Sequence, residues 1–468
     1  MIKVKATYYY IVFLSLVAAI GGFLFGYDTA VISGTISEVT EQFSLGSIAQ
    51  GWYVGCALLG SIMGVSIAGS LADKYGRKKV MILSAVLFSV SAIGCALTGT
   101  FNGLIVYRII GGAGIGMVSI VSPMYISEVA PSSIRGSLVS LYQLAITIGF
   151  LGAFLMNFQL LNFAESNQFE MDTVLYKIFN EEVWRGMLGM ETVPALLFFL
   201  ILLLIPESPR WLVINNKTLK AEQVFSKLYS SIESGKQKVQ EVMEQSGQIG
   251  VSNWKLLKNP GILKPVLLGM AIAILGQFMG VNAVLYYGPS IFEQSGLSGG
   301  DALFYQVMVG LVNVLTTILA LIIIDRVGRK KLVYFGVSGM ILSLILISFY
   351  FYGSDIYALP SIFLLVLFLA YIFFTAISIS AVIFVLLSEM YPNKIRGLAM
   401  SIAGFSLWLG TYLVGQLTPW FLENFGPSGT FMFFALMCFP YLYIIWKKIP
   451  ETAGKSLEEI ENYWLEKR

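Results

Sequence analysis

The 468-residue chain has no histidine, three cysteines and few charges, with 12% of its residues Asp, Glu, Lys or Arg. Each shortage excludes something. Without histidine, no imidazole can act as general base, pH switch or metal ligand, so proton chemistry near neutral pH falls to a perturbed carboxylate. Cys56, Cys95 and Cys438 sit in separate apolar runs, which argues against a disulfide framework or a CxxC metal site. A net charge of +3 is too small to imply a nucleic-acid partner. Soluble chains are about 25% charged and 45–50% apolar; this one is 57% apolar and is not an ordinary soluble enzyme.

What the sequence does have is long apolar runs. Twelve can be marked: Tyr8–Ser33, Ile48–Leu71, Val80–Leu97, Asn102–Val121, Gly136–Leu160, Trp184–Ile205, Lys264–Phe292, Ala302–Ile324, Leu332–Tyr352, Leu359–Leu387, Leu398–Phe421 and Thr430–Trp446. Their continuity predicts membrane-spanning helices, since barrel strands alternate residue by residue. The expected class is therefore an all-α polytopic membrane protein. Cations concentrate in one set of loops (Lys74, Arg77–Lys79, Arg135, Arg210, Arg326, Arg329–Lys331, Lys394, Arg396, Lys447, Lys448). Acids dominate the other set, including Glu38, Glu41, Asp172, Glu293, Asp301 and Asp355, with Lys177 and Arg185 the exceptions. The positive-inside rule then places both termini in the cytoplasm of a multi-pass plasma (inner) membrane protein.

A polar stretch, Glu207–Asn259, separates six spans from six. In it Leu219, Val224, Phe225 and Leu228 fall near one helical face, which predicts short surface helices. The expected organisation is a six-helix bundle over 1–206, a cytoplasmic linker over 207–259, a second bundle over 260–447 and a tail over 448–468. Asp73-Lys74-Tyr75-Gly76-Arg77-Lys78-Lys79 after span 2 recurs as Asp325-Arg326-Val327-Gly328-Arg329-Lys330-Lys331 after span 8. Ser127-Glu128…Pro131…Ile134-Arg135-Gly136 recurs as Ser388-Glu389…Pro392…Ile395-Arg396-Gly397 between spans 10 and 11. Two matched loops at equivalent positions indicate a duplicated six-helix unit, a parallel repeat that puts a substrate site between rocking halves.

Three buried charges stand out, because a charge within a bilayer is expensive. Asp28, Arg108 and Glu191 all lie in the first half, about six or seven residues from the acidic-loop end of their spans. At ~1.5 Å per residue they share a depth of roughly 9–11 Å, so an ionic network is expected. Arg108 would favour ionised Asp28 and desolvation its neutral form, so a conformational change that alters either moves a proton. A static pair joining two helices is the alternative. The second half has no mid-span charge. Its amides and aromatics suit a neutral sugar, which presents hydroxyls and an apolar C–H face. Gln277 and Asn282 on span 7, Asn313 on span 8, Trp408 on span 11 and Gln143 on span 5 sit near mid-depth; Phe25, Tyr287 and Phe384 are candidate aromatic contacts. Each amide could instead be interhelical glue.

The loops, with Gly21-Gly22-Phe23-Leu24-Phe25-Gly26-Tyr27-Asp28 in span 1, Pro206-Glu207-Ser208-Pro209-Arg210-Trp211-Leu212 after span 6 and Pro450-Glu451-Thr452-Ala453-Gly454-Lys455-Ser456 after span 12, resemble the sugar porter branch of the major facilitator superfamily. Within it the chain is most similar to bacterial xylose–proton symporters and then to facilitative glucose transporters. The resemblance implies the twelve-helix major facilitator fold and alternating access. It implies proton-coupled symport of a pentose, hexose or polyol, with the matching aspartate and arginine carrying the coupling. No catalysis or cofactor is implied beyond the proton as coupling ion, and a monomer in the bilayer suffices. The sugar contacts map onto Gln143, Gln277, Asn282, Asn313 and Trp408. A cytoplasmic charge clamp maps onto Asp73, Arg77, Glu128, Arg135, Glu207, Arg210, Asp325, Arg329, Glu389, Arg396 and Glu451; plain anchoring to anionic lipid is its competitor.

Departures from the family pattern are Gly276 for a first glutamine, Phe150 for a second, Ala381 and Phe384 in place of a Gly-Pro-x-x-Trp run, and Leu407 and Thr411 around the span 11 tryptophan. These leave the sugar unidentified, and the loss of Gly-Pro removes the obvious break in span 10. Facilitative uniport is the competing transport mode, against which Asp28 speaks. A sugar sensor on the same scaffold is the more distant alternative.

Overall fold

A computed structural model describes residues 2–131, 133–166, 169–171, 173–229, 231–246, 260–357, 359–392, 395–452, 459–460 and 463–464. The side chains of 2–7, 245–246, 260, 325 and 354–357 are also outside that description. The side chains of Asp325 and Asp355, the loop residues Asp172 and Lys394, the end of the linker and most of the tail therefore lie outside the described residues.

Helices account for every span, as the apolar runs require where water cannot satisfy the backbone. Spans 1 to 5 are Ile2–Val31, Ser47–Tyr75, Arg77–Leu97, Phe101–Val129 and Arg135–Ser166. Span 6 is Trp184–Gly189 continued by Thr192–Leu204, and span 7 is Pro260–Phe278 continued by Val281–Gln294. Spans 8 and 9 are Gly299–Val327 and Arg329–Tyr357. Span 10 runs from Ser361 through a π-helical turn at Ala376–Ser380 to Met390. Spans 11 and 12 share the segment Arg396–Lys447, divided at Gly426 with φ 65° and ψ 173°. Pro427 follows that kink and cannot supply an amide to continue the ladder. Among the described residues eleven segments are long and apolar enough to cross a membrane, and dividing Arg396–Lys447 at Gly426 makes twelve helices.

The helices run past the apolar cores marked from sequence. Span 4 continues to Val129 and span 5 to Ser166, since a helix need not end where hydrocarbon does. The spans are apolar all round, so small residues decide which face packs. Spans 1 and 5 cross at glycines. A Cβ on Gly26 would strike the Ile146 carbonyl, and one on Gly149 the Phe23 carbonyl. On span 6 Ala195, Phe198 and Leu202 turn inward, while Leu197, Leu200 and Leu204 stay exposed in positions suited to lipid tails.

The chain packs as two compact units. One comprises Met1–Val31, Leu59–Met156 and Gln168–Val251; the other comprises Ile32–Leu58, Asn157–Asn167 and Ser252–Arg468. In the first, the linker forms helices Pro209–Ile214, Thr218–Tyr229 and Ile232–Ser246. The buried face of Thr218–Tyr229 is Ala221, Val224, Phe225 and Leu228, the i, i+3, i+4, i+7 set. Leu219, expected on that face, is 75% exposed because it falls outside this register. Arg185, one of two cations in the acidic loops, is buried and donates to the carbonyls of Ala96 and Thr98, capping the end of span 3.

Enlarging the crossing of spans 1 and 5 should abolish folding where an open glycine does not. Gly26→Leu is expected to lose most of the folded yield in detergent, whereas Gly136→Ala, with nothing within 4 Å of its Cβ position, should melt like the parent. Size-exclusion profiles and thermal melts check this.

Candidate functional site: a buried ion pair, an amide cluster and two charged loops

The first unit holds the three mid-span charges together. Asp28 is fully buried, and Arg108 and Glu191 are each 2% exposed. Arg108 Nη1 donates to Asp28 Oδ1, and the guanidinium also reaches the Asp28 carbonyl at 3.4 Å. Asp28 Oδ2 and Glu191 Oε1 are buried with no hydrogen-bond partner among the described residues. Glu191 sits where the span 6 helix is interrupted, between Gly189 and Thr192. The expected network is therefore a direct pair with a second carboxylate in Coulombic reach. Tyr27 and Cys95, which sequence reasoning did not single out, share the cluster: Tyr27 feels Glu191, and Cys95 feels all three charges and bonds Ser91. The only sequence signal for Tyr27 was its adjacency to Asp28.

The amide cluster lies in the second unit, where span 7 breaks. Gly280 adopts φ +94°, a left-handed conformation that favours glycine, and separates the two pieces of the span. The Met279 carbonyl, freed there, accepts from Tyr371 Oη at 2.7 Å. In an unbroken helix residues five apart point in different directions. The break turns Asn282 back so that its Nδ2 donates to Gln277 Oε1 at 2.8 Å. The single hydroxyl proton of Thr411 has two acceptors in reach, the same Gln277 oxygen at 3.1 Å and the Leu407 carbonyl at 2.9 Å. Thr411, counted from sequence as a lost polar partner, thus orients Gln277. With Gln277 Oε1 engaged by Asn282 and in reach of Thr411, the pair presents amide N–H donors on Gln277 and a carbonyl acceptor on Asn282. Trp408 lies one turn before Thr411, 8% exposed, as is Asn313 on span 8.

The remaining candidates are placed differently. Tyr287 is buried and its hydroxyl donates to the Gly415 carbonyl at 2.6 Å, so it holds span 7 to span 11. Phe384 is 48% exposed on the short helix after the π turn. Gln143 and Phe25 are half-buried in the first unit. Phe150 is buried beside Phe154. Gly276 would carry a Cβ in ordinary contact with Tyr441 and Ile379, 3.7 and 3.9 Å away. Span 10 breaks without proline. Ser378 Oγ donates to the Phe374 carbonyl at 2.6 Å inside the π turn, and Gly336 and Gly339 of span 9 pack against those two residues. Gln306, also missed, is fully buried and donates to the carbonyls of Val284 and Leu285. The latter lost its helical donor to Pro289.

At the acidic-loop end, still within the second unit, the segment Ile32–Leu58 is fastened to spans 7 and 11. Ser37 Oγ donates to Glu293 at 2.7 Å and Gln416 Nε2 to the Ile48 carbonyl at 3.0 Å.

The cationic loops form matching clusters, one in each half of the chain. Arg77 donates from Nε and Nη2 to Glu128 at 3.0 Å and from Nη1 to Asp73 at 3.2 Å. Glu207 Oε1 accepts the amides of Arg77, Lys78 and Ser208 at 2.8–3.1 Å, sitting at the N-terminus of span 3. Burial lifts the Glu207 carboxyl above the usual carboxylate range, against the pull of those amides and the Arg77 charge. Lys78 Nζ reaches the last carbonyls of span 6 at 2.9 and 2.8 Å. The repeat reproduces this: Arg329 to Glu389 at 2.9 Å, the Lys330 amide to Glu451 at 3.1 Å, and Lys330 Nζ to the Trp446 and Ile449 carbonyls. Arg135 and Arg396 depart from the expected carboxylate pairing. Each donates to the carbonyl five residues earlier, Ala130 and Tyr391. Arg210 is exposed.

The chain matches the family described as "Sugar (and other) transporter" over residues 14–464. The chain belongs to this sugar transporter family. An arabinose-proton symporter of Bacillus subtilis is 37% identical to the transporter over 466 residues, 97% of this chain and 95% of that protein. A D-xylose-proton symporter of Escherichia coli is 35% identical, covering 97% and 96%. Among solved structures, the E. coli xylose transporter in a partially occluded inward-open conformation matches with a TM-score of 0.82 at 34% identity, covering 96% of this transporter and 99% of that chain. The same protein bound to 6-bromo-6-deoxy-D-glucose matches with a TM-score of 0.78. Family membership accords with a transporter rather than an enzyme.

If the loop pairs govern conformational change, Glu389→Arg should slow transport several-fold and the double exchange with Arg329→Glu should restore most of it. Initial uptake rates of the singles and the double check this.

Proposed function

We propose that the protein is a proton-coupled symporter that carries a monosaccharide, pentose or hexose, or a related polyol across the plasma membrane by alternating access, with both termini in the cytoplasm. The Asp28–Arg108 pair carries the reading. It is buried inside the bilayer, where each charge costs about 2.5–3.5 kcal/mol to insert, and one carboxylate oxygen is left without a partner. A structural ion pair gains from engaging every lone pair; an oxygen left open suits a proton that comes and goes. The relatives named as arabinose-proton and xylose-proton symporters support the same coupling.

In this reading Asp28 is the proton carrier, Arg108 its counter-charge and Glu191 the second carboxylate. Gln277 donates to a sugar hydroxyl, Asn282 accepts from one, and Trp408 stacks on the C–H face. Gln143, Asn313, Phe25 and Phe384 complete the contacts. Tyr287 with Gly415, and Ser37 with Glu293, form the outer gate. The cytoplasmic gate rests on Asp73, Arg77, Glu128 and Glu207 and on their repeat partners Arg329, Glu389 and Glu451. Arg135, Arg210 and Arg396 flank it.

The test is uptake by proteoliposomes of a panel of pentoses, hexoses and polyols, with and without an inward proton gradient. Concentrative uptake of at least one sugar only with the gradient is expected. Asp28→Asn should abolish accumulation and retain counterflow exchange; accumulation kept in that variant would mean that Asp28 does not carry the coupling proton, and no accumulation by the parent under the gradient would mean facilitative transport. Thr411→Val frees one acceptor site on Gln277 and should raise KM about five-fold, the equivalent of one hydrogen bond of about 1 kcal/mol.

A further inference from the structure

The unpartnered Asp28 oxygen raises a chemical question that Arg108 cannot answer. A carboxyl that binds a proton gains an O–H donor and needs an acceptor. Arginine carries five donors and no acceptor, so Arg108 can hold Asp28 only as an acceptor. Its contact falls on Oδ1 and leaves Oδ2 open. A buried donor left without a partner forfeits about 1–3 kcal/mol, which would weigh against proton loading. An acceptor must therefore stand near Oδ2.

The helix crossing supplies one. Gly111 on span 4 lies beside Asp28, one turn beyond Arg108. The point where a Gly111 side chain would begin is 3.0 Å from Asp28 Oδ2 and 2.5 Å from Ser91 Oγ of span 3. Both oxygens therefore border the same small gap, which exists because residue 111 has no side chain. Ser91 is 2% exposed, and its one described side-chain bond is with the Cys95 thiol, a weak partner that leaves lone pairs on the hydroxyl. The other groups that face this place are Arg108 from span 4, Glu191 from span 6, Cys95 from span 3 and Tyr27 from span 1. None of them is among the three atoms nearest the gap; two of these belong to Ser91 and the third is Asp28 Oδ2.

We propose that Ser91 is a positioning residue for proton coupling: its hydroxyl accepts the hydrogen bond of the proton-loaded Asp28 carboxyl, across a gap that Gly111 keeps open. Ionised Asp28 bonds Arg108 through Oδ1, and neutral Asp28 keeps that contact while turning its O–H to Ser91. The proton comes from bulk water on one side of the membrane and leaves to the other; no other bond is made or broken. The inference rests on the reading of Asp28 as proton carrier.

The experiment is an infrared pH titration of the full transporter in proteoliposomes, following the carboxylic acid band that Asp28→Asn removes and Glu191→Gln retains. Ser91 bonds only the neutral form, so its loss favours the ionised one and moves the midpoint down. Ser91→Ala should lower the midpoint by about one pH unit, the equivalent of one such bond. Ser91→Thr, which keeps the hydroxyl, should restore it, and Gly111→Ala, which fills the gap, should lower it as Ser91→Ala does. If no titrating band disappears in Asp28→Asn, the proton-carrier reading is itself wrong. If the band titrates but its midpoint is the same in Ser91→Ala and Gly111→Ala, Asp28 carries the proton without Ser91.

Discussion

A carboxylate and a guanidinium inside hydrocarbon each need a counter-charge, and Asp28 and Arg108 supply one another's. Much of the first unit is arranged around that need. Span 1 approaches span 5 closely through Gly26 and Gly149 and meets span 4 at Gly111, so the aspartate sits where three helices come together. Span 6 interrupts its helix at Glu191 and brings a second carboxylate into the same field. Two acids and one arginine leave the cluster short of positive charge. In the proposed reading this electrostatic arrangement makes the buried pair a device with two protonation states rather than a fixed strut.

In the proposed reading the second unit meets a different need, binding the sugar, with different chemistry. A neutral polyhydroxylated ligand needs donors and acceptors in fixed orientation, and charge would bind water too strongly to release it. Broken helices provide the orientation. Gly280 breaks span 7 with a left-handed residue, and a π turn breaks span 10 with serines rather than proline. Each break frees backbone carbonyls that side chains then take up, as Tyr371 does for Met279 and Gln306 does beside Pro289. The amides of Gln277 and Asn282 gain a defined polarity because Asn282 donates to the Gln277 oxygen, with the Thr411 hydroxyl in reach of it.

The duplicated loops show why the repeat was visible in sequence while its role was only partly so. Arg77 with Glu128 and Arg329 with Glu389 follow from the motif, because opposite charges at matched positions seek each other. The contacts of Lys78 and Lys330 with the ends of spans 6 and 12 could not be foreseen, since backbone carbonyls carry no sequence signature. Arg135 and Arg396 turn to the chain just behind them for the same reason.

The sequence alone determined that this chain lives in a membrane as twelve helices in two related halves, because lipid permits no other use of its apolar runs. It also picked out Asp28, Arg108 and Glu191, because the expense of burying charge makes each one conspicuous. Tertiary structure decided how those groups meet: which carboxylate oxygen Arg108 takes, that Asn282 folds back on Gln277, that Thr411 completes the amide cluster and that Tyr287 seals a helix contact. Those outcomes depend on helix breaks, rotamers and the space beside single glycines, which distance along the chain does not encode.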